Sequence, residues 1–161
     1  MDGTIETTRL ILRPMRADDL DGLLPVFPGF DATQMRSWID RNLEHQRHHG
    51  YGLFTVVLRA TGEIIGDCGL EHMTDDLREA ELGYDLRSDV WGQGLATEAA
   101  TAVKDYARTV LGFARLFSLI QAGNEASRRV AEKVGMDLDE TIERFGVPYW
   151  VYAMRLQQEQ G

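Results

Sequence analysis

Residues 81–98 read Glu81-Leu82-Gly83-Tyr84-Asp85-Leu86-Arg87-Ser88-Asp89-Val90-Trp91-Gly92-Gln93-Gly94-Leu95-Ala96-Thr97-Glu98. The stretch predicts the end of a strand, a loop with two glycines and the start of a long helix. The first amides of a helix lack intrahelical carbonyl partners, and the macrodipole adds partial positive charge there. Gly92 and Gly94 let such N–H groups approach an anion with no Cβ in the way. Residues 91–97 therefore read as a phosphate cradle that needs no basic side chain. Gly92-x-Gly94 is only half of a dinucleotide fingerprint. The third Gly is missing, and the region about 20 residues on, Gly112-Phe113-Ala114, offers no acidic residue at a strand end. Gly-Lys-Ser/Thr, which a P-loop requires, is absent too.

Before this stretch, Arg9–Arg13 reads as a strand ended by Pro14. Asp18 or Asp19 is expected to cap a short helix that Pro25 and Pro28 close. A second helix starts near Asp31, with Gln34 completing a capping box and Gly50 as its stop. Its apolar stripe is Met35, Trp38, Ile39 and Leu43. Gly52–Leu58 and Ile64–Leu70 read as a hairpin, and Glu79–Leu86 as a third strand. After the loop, Leu95, Ala99, Ala102, Val103, Tyr106, Ala107 and Val110 recur with helical period up to Gly112. Leu116–Gln121 is a strand, and Asn124 caps a helix that Gly135 ends. Two last strands lie near Asp139–Phe145 and Tyr149–Leu156. That order is a mixed α/β sheet with helices on its faces.

A length of 161 residues predicts one domain, residues 1–161, with enough chain for its own core. Hydrophobic residues at 43% and charged residues at 27% are an ordinary soluble composition. The net charge of −9 argues against nucleic acid as a partner and weakly favours cationic substrates. No apolar run is long enough to span a bilayer, and the first six residues resemble no secretory signal. Cys68 stands alone, which suits a reducing compartment; a cytoplasmic protein with no membrane partner is expected.

Trp91 to Ala99 reads Trp-Gly-Gln-Gly-Leu-Ala-Thr-Glu-Ala, and it is not alone. Thr8–Pro14 looks like an opening strand, Ile65-Gly66-Asp67-Cys68-Gly69-Leu70 like a central hairpin, and Asn124-Glu125-Ala126-Ser127 with Glu132–Met136 like a last cofactor helix. In this order, and over residues 8 to about 154, the chain resembles the GNAT family of N-acetyltransferases, in its ribosomal-protein alanine acetyltransferase-like (RimJ/RimL-like) branch. One departure is Met136, where Phe is commoner.

The resemblance implies a mostly antiparallel sheet of about six to seven strands with helices on both faces. It implies acetyl-coenzyme A as co-substrate, no metal, and a primary amine as acceptor. That acceptor is a protein N-terminal α-amine or a small-molecule amine, attacking directly in a ternary complex. The strand ending at Leu86 is expected to splay from Leu116–Gln121, so that the pantetheine arm enters the gap and pairs with backbone near Tyr84 and Leu86. Trp91, Gly92, Gln93, Gly94, Leu95, Ala96 and Thr97 would hold the pyrophosphate. Asn124 would fix the pantetheine amides, and Arg129, with Arg87 and Arg128 as alternatives, the outer phosphate.

Amine attack on a thioester needs proton removal, donors for the carbonyl oxygen and a proton for the leaving thiolate. Glu81 is the candidate base, with a carboxylate that pairs to a neighbouring strand or orients substrate as the competing reading. Glu98, in the first helix turn, suits the dipole better than the chemistry. Many family members carry a Tyr acid seven residues beyond the Asn; here that position is Ala131. Ser127 is the substitute, with local capping at Asn124 as its alternative. His45, His48 and His49 read as a solvated helix face rather than a metal set. Trp38, Trp150 and Tyr152 read as packing residues, and Trp38 also as a border of the acceptor pocket. The missing Tyr keeps open a non-catalytic protein that binds acyl-coenzyme A, and a nucleotide-binding oxidoreductase is a more distant rival. A homodimer is a general expectation only.

Overall fold

The order of turns, alternating strands and capped helices builds one continuous sheet flanked by helices on both sides. The computed structural model describes Met1 and residues 3–156; Asp2 and residues 157–161, which the expected 1–161 domain includes, lie outside the described residues. The strands are β1 (Ile5–Glu6), β2 (Leu10–Pro14), β3 (Leu53–Leu58), β4 (Ile64–Glu71), β5 (Glu79–Leu86), β6 (Arg115–Gln121), β7 (Asp137–Arg144) and β8 (Val147–Arg155). They form an 8-stranded sheet in the order β1-β2-β3-β4-β5-β6-β8-β7. Only the β5–β6 pair is parallel. The strand expected in each apolar segment is present. The additional one is β1, whose two residues are too few to show any alternation.

The helices are α1 (Leu20–Leu23), α2 (Ala32–His49), α3 (Leu95–Tyr106) and α4 (Glu125–Val134). The capping box of α2 forms in full: Gln34 N donates to Asp31 Oδ1 at 2.8 Å, and Asp31 N donates to Gln34 Oε1 at 2.9 Å. Such a cap is worth about 1 kcal/mol. Gly50 ends the helix in the left-handed region, at φ 77°. The last turn of the helix that starts at Leu95 widens into a π turn, Ala107–Leu111, before Gly112.

Leu53 and Phe54, adjacent on β3, show how the sheet divides its core. Leu53 packs with Met15, Leu23, Val26, Met35 and Ile39 under α1 and α2. Phe54 joins Leu10, Leu12, Leu70, Leu82, Ala99, Val103 and Val134 under α3 and α4. Alternation along each strand sends successive side chains to these two layers. Asp19 stands at the N-cap of α1 as expected, but its side chain makes no cap hydrogen bond there. It is buried and accepts from Arg13 Nη1 and Nη2 at 2.9 and 2.7 Å, from Thr55 Oγ1 at 2.7 Å and from Arg16 N at 2.9 Å. Burial raises its pKa, but those donors outweigh burial and leave the carboxyl below its usual range. The cluster ties the segment leading into α1 to the sheet.

Candidate active site

β5 and β6 run in parallel through three rungs, Glu79–Arg115, Ala80–Leu116 and Glu81–Phe117, and then part. Ser118 Oγ donates to Leu82 O at 2.6 Å just past the last rung, closing the apex of the opening. Arg87 N donates to Ile65 O at 2.7 Å, so the backbone groups of odd-numbered β5 residues face β4. Those of Leu82, Tyr84 and Leu86 therefore face the opening. Leu82 O is taken by Ser118, and Leu86 O accepts from Trp91 Nε1 at 2.8 Å. The peptide groups of Tyr84 remain directed into the gap, where an extended amide-bearing chain would pair with them.

At the end of β5 the chain turns through Ser88–Val90 into the glycine loop. Gly92 and Gly94 both lie in the left-handed region, at φ 81° and 80°, which a side chain rarely adopts. No atom lies within 4 Å of where a Cβ on Gly92 would stand. The first intrahelical donor of α3 is Glu98 N, to Gly94 O at 3.0 Å, so the amides ahead of it have no carbonyl one turn back. Arg9 Nη1 donates to Gln93 O at 2.9 Å. Open space and unmatched amides at a helix start fit a pyrophosphate.

A cleft of about 400 Å³ joins these parts. Its lining includes Tyr84, Leu86, Trp91, Gly92, Gly94, Leu95, Ala96 and Thr97 on one side, and Asn124, Ser127 and Arg129 of the α4 region on the other. Thus the cleft gathers the expected site residues except Glu81 and Gln93. Gln93 is in the loop with its carbonyl bonded to Arg9, and Glu81 lies on the other face of β5. Val26, from the α1 side, also lines the cleft, so the opening passes through the sheet. Tyr84 crosses it, its phenol donating to Ser127 O at 2.7 Å. Burial, with Cys68 and Asp85 nearby, pushes that phenol up, so it stays protonated.

Ser127 N donates to Asn124 Oδ1 at 3.2 Å, so the cap is made by the Ser127 amide. The Ser127 hydroxyl makes no hydrogen bond among the described residues. Of the three arginines, Arg87 is paired with Asp89 and Glu63, and Arg128 with Glu125 and Glu132. Arg129 reaches the cleft, and so does Lys133, which the sequence did not single out.

Glu81 stands at the apex rung, directed to the α1/α2 side. Burial, then repulsion from Glu71, raises its pKa to about 7, with Arg144 acting in the opposite sense. Glu71 is its cross-strand partner, and Asp67 and Asp85 form a second carboxyl rung four residue pairs away. Sequence reading missed these groups, because strand register alone brings them together. Glu98 is structural, as expected: it accepts from Thr7 Oγ1 at 2.6 Å, Arg9 N at 2.9 Å and Arg9 Nε at 2.8 Å.

Cys68 is fully buried. Trp38 packs on Phe27, and Trp150 and Tyr152 join the α3/α4 core. His45 departs from the solvated face expected of the histidines. Its Nε2 accepts from His72 N at 2.9 Å, which leaves Nδ1 to donate to Tyr51 O at 3.0 Å. Burial and the neighbouring His49 lower its pKa, so this ring is a neutral structural link. No group of three potential metal ligands occurs among the described residues, and no helix there is long and apolar enough to cross a membrane.

Known proteins resemble this chain. The family described as Acetyltransferase (GNAT) domain matches residues 9–137. The protein YkkB of Bacillus subtilis is 37% identical over 123 residues, covering 76% of this chain and 72% of its own. Spermidine N(1)-acetyltransferase of Escherichia coli is 27% identical over 137 residues, covering 80% and 73%. The solved structure of RimJ from Mycobacterium smegmatis in complex with CoA-disulfide superposes with a TM-score of 0.82 at 22% identity, over 95% of this chain and 87% of that one. With the family matched over residues 9–137, from β2 past α4, and the glycine loop, split strands and capped α4 all in place, the chain belongs to the GNAT acetyltransferase family.

Proposed function

We propose that one domain, residues 1–161, transfers an acetyl group from acetyl-coenzyme A to a primary amine by direct attack in a ternary complex. The observation that carries this reading is the parting of β5 and β6 past Glu81–Phe117, beside a helix start with unmatched amides. The cofactor arm threads that opening. The amides of residues 92–97 take the pyrophosphate, Asn124 and the Tyr84 peptide groups take the pantetheine, and Arg129 takes the outer phosphate. The likeness to a structure that holds CoA-disulfide supports the choice of ligand.

In the mechanism, the acceptor ammonium arrives on the α1/α2 side and loses a proton to Glu81 or to a water held by it. A carboxyl with a pKa of about 7 is matched to that task near neutral pH. Backbone amides at the opening stabilise the charge that grows on the carbonyl oxygen. The departing thiolate takes a proton from Ser127 or from water, and the proton that the amine nitrogen sheds as the amide forms restores that donor. The Tyr84 phenol is committed to Ser127 O and serves as a strut. In this reading much of the rate comes from holding the reactants together. The acceptor is a protein N-terminus or a small-molecule amine, and the name of the spermidine-acetylating relative supports the second. A cytoplasmic setting accords with both.

The experiment is a thiol-release assay with acetyl-coenzyme A and a panel of amines. Acetyl-coenzyme A bound without thiol release from any amine would favour the non-catalytic reading. Normal turnover in Ser127→Ala would remove the serine from the mechanism.

A further inference from the structure

Four carboxyl groups share one face of the β4–β5 ribbon. Asp67 stands opposite Asp85 and Glu71 opposite Glu81, with Gly69 opposite Gly83 between the two rungs. Alternation places all four on the α1/α2 face, away from Cys68, Leu70 and Leu82 in the α3/α4 core. Like charges directly opposed across a strand pair are destabilising, so this ladder is costly to the fold.

Two observations point to a ligand. Asp67 is fully buried, and neither of its carboxyl oxygens has a hydrogen-bond partner with ordinary donor geometry among the described residues. Its carboxyl lies against that of Asp85, a contact two carboxyls can satisfy only by sharing a proton. Asp85, in turn, is exposed and lines the cleft beside Tyr84 and Leu86. The face also stays open between Asp85 and Glu81, because no atom lies within 4 Å of a Cβ position built on Gly83. Arg41 of α2 acts on Glu71 and Arg144 of β7 on Glu81, whereas the charged groups acting on Asp67 and Asp85 are other carboxyls.

We propose that Asp85, oriented by Asp67, binds a second ammonium group of the acceptor, so that linear aliphatic diamines are preferred over monoamines and N-terminal peptides. The proposal rests on the acetyl-transfer reading, with the reacting amine at the Glu71–Glu81 rung. The two rungs are four residues apart, about 13 Å along a strand. An ammonium–carboxylate contact of about 3 Å at each end leaves roughly 7 Å between the two nitrogens when both contacts lie along the strand, and more when they stand off it. Burial pushes the Asp67 carboxyl well up; burial raises Asp85 too, but the hydrogen bond from Asp67 works against that, so Asp67 keeps the shared proton and Asp85 is the partner that charges first. Asp67 is thus a positioning residue.

The test uses the full chain with acetyl-coenzyme A and compares hexamethylenediamine with n-hexylamine. The wild type is expected to favour the diamine by on the order of 10- to 100-fold in kcat/KM, carried by KM. Asp85→Asn should bring that ratio close to one. Asp67→Asn, whose amide can donate to Asp85 as the protonated carboxyl does, should retain most of the preference, and Asp67→Leu should lose it. A ratio near one in the wild type, or an undiminished ratio in Asp85→Asn, overturns the proposal. Calorimetry with hexamethylenediamine on the coenzyme-A-loaded protein separates the two readings. If no amine releases thiol, acetyl transfer fails, yet diamine binding that Asp85→Asn abolishes still supports the subsite, and absent binding refutes it.

Discussion

Glu81 faces Phe117 on the last rung that β5 and β6 share, and the opening that carries the proposed chemistry begins immediately beyond it. The candidate base is thus fixed to the last rung before the two strands part. The cleft proposed for the cofactor lies on the α3/α4 side and the carboxyl on the α1/α2 side, with the gap connecting them.

That placement predicts a pH profile. With a pKa of about 7, the Glu81 carboxyl is protonated below neutrality and takes up a proton poorly there. The wild-type kcat/KM should climb through about pH 7 and then level. Glu81→Gln should lose that limb together with a factor of roughly 10² or more in rate. A Gln variant that keeps both would assign the base elsewhere.

The same carboxyl should leave a mark on stability. Its folded pKa lies above the unfolded value, so the folded state binds more protons between about pH 4.5 and 7. Stability contributed by the protonated group is complete at acid pH and is lost as pH rises through 7. Glu81→Gln should therefore gain on the wild type across that window, by no more than about 3 kcal/mol at pH 8. Urea unfolding of both proteins at pH 5 and 8 measures the difference.

Glu98 predicts the opposite trend. Burial raises its pKa, but hydrogen bonds from Thr7, Arg9 N and the Arg9 side chain outweigh that and lower it overall. Its contribution is present above the unfolded pKa and is lost as pH falls through the lower folded one. Glu98→Gln should cost about 1–2 kcal/mol at pH 7 and little at pH 3. Because Arg9 also holds Gln93 O, the variant should raise KM for acetyl-coenzyme A, which steady-state kinetics would show.

Tyr84→Phe removes the phenol that ties β5 to Ser127 O across the cleft. The loss of one such bond is worth about 1 kcal/mol, with Ser127 O retaining its helical role. The expected result is a modest fall in stability and weaker acetyl-coenzyme A binding, with kcat less affected. A large fall in kcat alone would move Tyr84 into the proton-transfer machinery.

Much of this architecture was legible from local signals. Asp31 with Gln34, Asn124, Gly50, Gly112 and Gly135 announce helix ends by short-range chemistry, and Gly92 and Gly94 announce the loop that opens α3 in the same way. What escaped depends on register. Nothing in the sequence places Asp67 against Asp85, because which β4 residue faces which β5 residue is set by the hairpin and the packing on both faces. The roles of Asp19 and His45 were hidden for the same reason: their partners Thr55 and His72 are 36 and 27 residues away. β1 is visible only through its pairing with β2.

The most direct test of the central claim is calorimetric titration of the protein with acetyl-coenzyme A beside a Gly94→Glu variant. Gly94 sits at φ 80°, at the start of α3, so the substitution adds both backbone strain and a negative charge at the cradle. The account predicts micromolar-range binding by the wild type and its loss in a variant that still folds. A folded wild-type protein that binds no acetyl-coenzyme A would contradict it, and the split strands would then be inherited scaffold.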